Sequence, residues 1–598
     1  MKRFLSYFLL AFLFITPYWL EAKGVAYLVD FEGLEDKHAL QIIKSQSELT
    51  TLKKAPSSLN ALRYRAEEDI PGMLKILRAL GYYEAKITIR VEETFPQARV
   101  IVYISSGPLY TIDTYTIHFF SKALNEEIVM ETLSLPAIGI YPGMTARSNA
   151  IQNAETKILK ELANNGYPLA SLTSQDIVAT AASHSLAVTV YVDTGPFCRF
   201  GSLTIEGNES VKTRWFKNKI LWRKGDIYNQ QLVDRTQKEL IETGLFSSVL
   251  ISPANMPDAD QLLPMGLEVG ETLHRNVSAG ISYQTVFGPG ATFGWENRNV
   301  GGEGQIIRLQ GDITRISHTG ILSYRIPNFR RKDQDFNSQL QAMQETIHPT
   351  YAKQAYSLTG SVERHVTPFL RMAVGGRFEK MFVSESLQNG QFWLAEIPLF
   401  VGWSNVNNIL NPTRGMNIGY NFSPALNFDR SWHGFLEQKL TLGNYLSVLP
   451  RTDFLVLAQQ ITIGSILSQH LKDIPLPERF LGGSEDDLRG YSYLTVSPLR
   501  RNANGKRKPL GGRSAIYYSV ETRFRITENF GVVPFFDLGN VWLRIVPPFD
   551  GKWRKSIGLG LRYFTFFGPM RCDIGFPLDR RHGIDHKWRI LVSIGQTF

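Results

Sequence analysis

Two patterns of hydrophobic and polar positions divide the chain near residue 271. Upstream, Met73-Leu74-Lys75-Ile76-Leu77-Arg78-Ala79-Leu80 and Ala154-Glu155-Thr156-Lys157-Ile158-Leu159-Lys160-Glu161-Leu162 place apolar residues at three and four spacings, which predicts amphipathic helices. Alternating runs follow each of them, Lys86–Val91 and Leu186–Val192, and predict half-buried strands. Downstream the alternation is interrupted only by turns. That is how a membrane barrel spreads its apolar signal over many short strands.

The upstream part repeats. Leu80-Gly81-Tyr82-Tyr83 returns as Asn165-Gly166-Tyr167 and again as Thr243-Gly244-Leu245-Phe246, so the glycines are 85 and 78 residues apart. Each glycine supplies the C′ turn of a helix and opens a strand. Gly107-Pro108-Leu109-Tyr110 matches Gly195-Pro196-Phe197, which leads into the strand Phe200–Gly207. A period near eighty gives three β-α-α-β-β modules, over residues 24–106, 107–195 and 196–270. Each small mixed sheet leaves an edge able to accept an incoming strand, the alternative being a mere spacer. Residues 272–598, at roughly 20 residues per strand and connection, give about 16 antiparallel strands, an even number as closure requires. The fold class is thus α+β modules followed by an all-β barrel.

Composition narrows the class. After the N-terminus no apolar run approaches the length of a membrane-spanning helix, while 12% aromatics and 49 glycines suit a barrel. Residues 1–22 carry Lys2, Arg3, the apolar run Phe4–Ile15, Pro17 and Ala22, which predicts a signal peptide. Leu20 stands where a small residue is preferred, leaving a retained anchor as the alternative. The net charge of +10 is dispersed except at Arg500–Lys508. Behind a signal peptide that run is expected to face acidic lipid headgroups or solvent outside, not nucleic acid. Cys198 and Cys572 are expected as buried small residues without a disulfide. No G-x-S-x-G, H-E-x-x-H or P-loop occurs, and His582 and His586 follow a Gly-rich turn as solvated residues. No catalysis, cofactor or metal is expected.

The most specified stretch is Leu476–Tyr491, with Gly482-Gly483, an acidic run and Arg489-Gly490-Tyr491. Two later strands, Tyr517–Phe524 and Pro534–Val541, each hold one carboxylate, Glu521 and Asp537, among aromatic and β-branched residues. A carboxylate in a strand wall needs a partner, and Arg489 is a candidate, although a lone Arg-Gly loop is ordinarily solvated.

A long loop with R-G-[YF], followed by a strand with F-x-D-x-G, resembles the sixth extracellular loop and inner wall of the BamA/TamA superfamily of outer-membrane assembly factors. Gly294-Trp295-Glu296-Asn297-Arg298-Asn299-Val300-Gly301-Gly302-Glu303-Gly304 resembles its W-x-x-R-N-x-x-G-x-G strand. Asn411-Pro412-Thr413-Arg414-Gly415 resembles its D-P-T-R-G turn, with Asn411 in place of the acid. The three modules are similar to POTRA modules, and Ala79–Tyr83 is most similar to TamA.

The resemblance implies an inward-folded loop, residues 475–512, scaffolded by Gly482 and Gly483 and locked by Arg489, Gly490 and Tyr491 against Glu521 and Asp537. It also implies a lateral seam between the first and last strands, at Asn276, Ser278, Gly280, Ser282, Ile594, Gly595, Gln596 and Phe598. Gly595 and Gln596 would weaken that seam, the alternative being an ordinary closed one. The terminal Phe598 corresponds to the assembly signal of such barrels. The expected partners are unfolded outer-membrane or autotransporter clients, outer-membrane lipid and a TamB-like periplasm-spanning protein at the first module. Two-partner secretion translocators, usually with two POTRA modules, and BamA-type insertases, usually with five, are the alternatives.

Overall fold

Three times between residues 24 and 271 the chain runs strand, helices, strand, strand. In the computed structural model the described residues are 24–594, except 53, 122–125, 128–132, 385, 430–431, 450–452, 503–504, 549–551 and 566–567. The expected signal peptide and the seam positions Gly595, Gln596 and Phe598 lie outside them.

In the first module Tyr27–Glu32 pairs parallel with Ala98–Ser105, which pairs antiparallel with Lys86–Glu92. In the second, Thr111–Ser121 lies parallel to Ser185–Asp193, and Ser171–Thr180 runs antiparallel along its other edge. The third repeats the order, with Leu262–Glu271 between Arg199–Glu206 and Phe246–Pro253. Helices Leu59–Ala79 and Ser148–Asn164 cover the first two sheets with the faces their periodicity marks: Leu62, Ala66, Met73 and Leu77 in one, Ile151, Ala154, Ile158 and Leu162 in the other. Gly81, Gly166 and Gly244 follow the three long helices at φ of 104°, 96° and 69°, a conformation that a side chain would oppose.

The chain packs as two compact units. One comprises Met1–Glu206, Lys219–Glu239 and Val249–Val269; the other comprises Gly207–Asn218, Leu240–Ser248 and Gly270–Phe598. Module three, expected as one body over 196–270, thus lends segments to the unit that holds the barrel. Hydrogen bonds explain the allegiance of 207–218. Glu271 accepts the amides of Ser210 (3.0 Å) and Val211 (2.8 Å), and the Lys212 amide donates to Gly302 O at 2.9 Å in the turn after the second barrel strand.

The barrel sheet orders seventeen strand segments by sequence neighbour, from Arg275–Gln284 to Arg589–Ile594. Gly390–Glu396 and Leu399–Ser404 both lie between Leu370–Ser384 and Gly415–Asn427 and keep one register: Arg377 faces Glu396, and Val374 faces Leu399. They are one strand, the eighth, so the wall has sixteen (17 − 1). Its interruption falls at Pro398, which has no N–H to give the ladder, flanked by Gly375 and Gly376 on one neighbour and Pro424 on the other.

Alternation sorts the two faces of the wall. In Arg554–Thr565, Ile557, Leu559, Leu561 and Tyr563 point outward and are exposed, while Ser556 and Arg562 point inward and are buried. Both cysteines are free. Cys198 is buried; Cys572, expected to be buried, is exposed. It takes the outward position between inward Arg571 and Asp573.

Candidate functional site

The long loop is shaped by its own backbone before it touches the wall. Gly482 and Val496 exchange N–H···O bonds of 2.9 Å, and Phe480 and Gly512 exchange bonds of 3.1 and 3.0 Å. The Asp487 carboxylate gathers the turn, accepting the amides of Gly483 (2.7 Å) and Ser484 (2.8 Å) and the Ser484 hydroxyl (2.8 Å). Gly483 has φ of 100°, and a Cβ there would stand 2.3 Å from Ser492 O. Gly482 abuts the Tyr517 ring. The acidic run therefore serves the loop's fold as well as its charge.

At the loop's end Arg489 is fully buried. Its backbone N–H and Nε each donate to Asp537 Oδ2 at 3.1 Å, Nη2 to Asp537 Oδ1 at 2.7 Å, and Nη1 to Glu521 Oε1 at 2.6 Å. The guanidinium carbon stands 3.5 Å from the centroid of the Phe535 ring, a cation over a π face. Tyr491 is buried and donates to Lys555 O at 3.0 Å. Gly490 lies so close to the wall that a Cβ would meet Phe576 C and Pro577 N at 2.8 Å.

Three further residues that the sequence reading did not single out complete the cluster. Asp573 Oδ2 is 3.4 Å from Arg489 Nη1, and Arg562 pairs with Asp573 and lies 3.7 Å from Glu521. Arg523 Nε bonds Glu521 Oε2 at 2.8 Å. Arg489, Arg523 and Arg562 thus face Glu521, Asp537 and Asp573, three charges of each sign, all within the wall or its lumen. Paired charges of this kind satisfy one another where water cannot, and each becomes costly once its partner goes.

The seam lies elsewhere on the same wall. Arg275–Gln284 pairs along its whole length with Gly288–Val300, and all ten of its residues are exposed. No ladder joins its other edge to Arg589–Ile594 among the described residues; Val592 N–H donates to Thr285 Oγ1 at 3.1 Å. Asn276, Ser278, Gly280 and Ser282 alternate with the exposed Val277, Ile281 and Tyr283 along this edge strand. Ile594 ends the described part of the terminal strand, opposite Met570.

In the turn that carries Asn411, side chains take the place of the missing acid. Asn407 Oδ1 accepts the amides of Thr413 (3.0 Å) and Arg414 (3.1 Å), and Arg523 reaches Pro412 O at 3.2 Å.

A family model of the Omp85 superfamily domain matches residues 299–598, 300 of the 598. The chain belongs to the Omp85 superfamily. A POTRA model, the surface antigen variable number repeat, matches residues 198–263 of this Omp85 protein. The outer membrane protein assembly factor BamA of Nitratidesulfovibrio vulgaris is 23% identical over 470 residues, covering 75% of this chain and 57% of that protein. BamA of Neisseria meningitidis serogroup B is 21% identical over 505 residues, covering 74% and 62%. The chain spans less than two thirds of the length of these two relatives. The crystal structure of BamA from Haemophilus ducreyi lacking POTRA domains 1–3 is similar in fold, with a TM-score of 0.70 at 18% identity, over 81% of this chain and 99% of that one. The barrel of this Omp85 protein lies in the bacterial outer membrane and its POTRA modules in the periplasm.

Proposed function

We propose that this Omp85 protein is an outer-membrane assembly or translocation factor of the TamA kind. Its three POTRA modules receive unfolded outer-membrane or autotransporter clients, and its seam templates them. The observation that carries the reading is the outer edge of Arg275–Gln284, a strand with ladder partners on one side only among the described residues. Such an edge offers unpaired N–H and C=O groups to an incoming strand. Exchange of one strand for another conserves hydrogen bonds, so the step needs no nucleotide, metal or catalytic residue. Arg489, Glu521 and Asp537 act in this reading as a lock that keeps the loop in the lumen.

A disulfide across the seam tests it. Thr285→Cys with Val592→Cys, in a Cys572→Ser background because Cys572 faces Val592 across the ladder, joins the two sides. In proteoliposomes the oxidised protein is expected to insert a client barrel at the background rate and to recover on reduction. Equal rates in both states would refute the reading. Three modules favour the TamA kind over a two-partner translocator or a BamA-type insertase. Co-purification separates them: one large elongated periplasmic partner supports TamA, and several lipoproteins support BamA.

A further inference from the structure

Arg489 is one of several ties between the inward loop and the wall, and a group of the others converges on a single hairpin. This terminal hairpin consists of Gly568–Pro577, Arg589–Ile594 and the connection between them. Arg571 Nη2 lies 3.2 Å from Glu485 Oε2. Arg589 Nη1 donates to Gly483 O and to Tyr491 O, both at 2.7 Å. In the connection, Arg581 donates to Thr495 O at 2.7 Å and to Thr495 Oγ1 at 2.8 Å.

Asp585 holds that arginine in place. Its carboxylate accepts Arg581 Nε and Nη2, each at 2.7 Å, and the Arg581 amide at 2.9 Å. The Ser492 hydroxyl of the loop donates to Ile584 O at 2.8 Å. Arg581 and Asp585 are both buried, although they belong to a connection between strands. The backbones meet as well: a Cβ on Gly575 would stand 3.0 Å from Gly490 N. Toward the first strand, by contrast, the loop presents the Tyr493 ring, edge-on to Phe287 with centroids 6.0 Å apart.

We propose that Arg581, Asp585 and Arg589 are positioning residues for the seam: they join the terminal hairpin to the inward loop as one body, so that the first strand is the side that moves. The hairpin bears the seam's terminal edge. Without these ties Arg589–Ile594 would be held by a six-position ladder on one side. With them, each end of the connection is fixed to a loop that is itself anchored on two other strands through Glu521 and Asp537. The first strand has its ladder to Gly288–Val300 and the hydrogen bond at Thr285. The consequence for templating rests on the assembly reading above; the measurement below does not, because it needs no client.

Hydrogen exchange read by mass spectrometry on the full-length protein in lipid nanodiscs tests the assignment. Arg589→Met removes two bonds to carbonyls and leaves no carboxylate stranded. Arg581→Leu with Asp585→Leu removes a charge pair together, which avoids an orphaned charge. Both are expected to speed exchange in residues 578–594 by about tenfold or more while 486–491 stay protected. Arg589→Lys, which can still donate to both carbonyls, is expected to stay close to the parent. In the parent protein 275–284 are expected to exchange faster than 589–594. Unchanged exchange of 578–594 in both variants, loss of protection at 486–491 in step with it, or faster exchange of 589–594 than of 275–284 in the parent would each overturn the proposal.

Discussion

Replacing Arg489 by Met removes the cation from the lock while keeping much of its apolar stem. Its partners then fare differently. Glu521 keeps Arg523 and Arg562, and Asp573 keeps Arg562. Asp537 loses its guanidinium bonds and keeps the Ser556 hydroxyl at 3.0 Å as its side-chain donor. A buried charge left in that state costs about 3–5 kcal/mol. Because undocking the loop lets water reach Asp537, that cost appears as a shift of the docked-to-free equilibrium by on the order of 10²- to 10⁴-fold. Asp537→Asn is expected to cost less, since Arg489 retains Glu521 and Asp573, and Glu521→Gln less again, since Arg562 retains Asp573. Arg489→Met with Asp537→Leu removes both members of the pair and is expected to recover most of the loss. The assay is the rate of protease cleavage within residues 484–495 on folded protein, which tracks the population of undocked loop when docking is fast. An order of sensitivity in which Glu521→Gln exceeds Arg489→Met, or a double variant no better protected than Arg489→Met, would refute the reasoning.

Gly490→Ala forces a methyl against backbone atoms 2.8 Å away, and is expected to weaken loop docking by about 1–3 kcal/mol in the same assay, with the barrel's heat-modifiable mobility on gels intact. Burial acts to raise the Glu271 carboxyl, but hydrogen bonds from Ser210, Val211 and His274 outweigh it and hold the group below its usual range. A depressed carboxyl contributes stability above its unfolded value and loses it as pH falls through its folded value. Protection of the Ser210 and Val211 amides, corrected for intrinsic rates, is therefore expected to drop in acid, and in Glu271→Gln to be low at neutral pH. Burial pushes the Cys198 thiol up to about 11, so a membrane-permeant maleimide is expected to label Cys572 in the folded protein and Cys198 only after unfolding, as peptide mapping would show.

The sequence carried the module repeat because each copy marks the end of its long helix with a glycine that no other residue replaces at low cost. Glu521 and Asp537 were legible by one criterion, a lone carboxylate in an apolar strand, and Arg489 as a loop cation that could meet them. Asp573 meets the same criterion, as the one carboxylate of Met570–Pro577. Arg562 is harder to see, because an inward arginine between Gly560 and outward Leu561 and Tyr563 has the pattern of any lumen-facing residue. In the last connection His582 and His586 stand out by their spacing, but it is Arg581, held by Asp585 four residues on, that makes the contact to Thr495. Nothing local distinguishes Arg581: Thr495 is 86 residues away in the chain, and pairing at that distance is decided by the fold.

The eighth strand of sixteen stands half-way round the cylinder from the seam. There Pro398 and Pro424 on adjacent strands withhold two backbone donors, and Gly375 and Gly376 on the next strand bring no side chains to stiffen the gap. A tube that gapes along one line must flex along the meridian opposite, as a book does at its spine. The crease is already cut into this wall at the place where such flexing would concentrate.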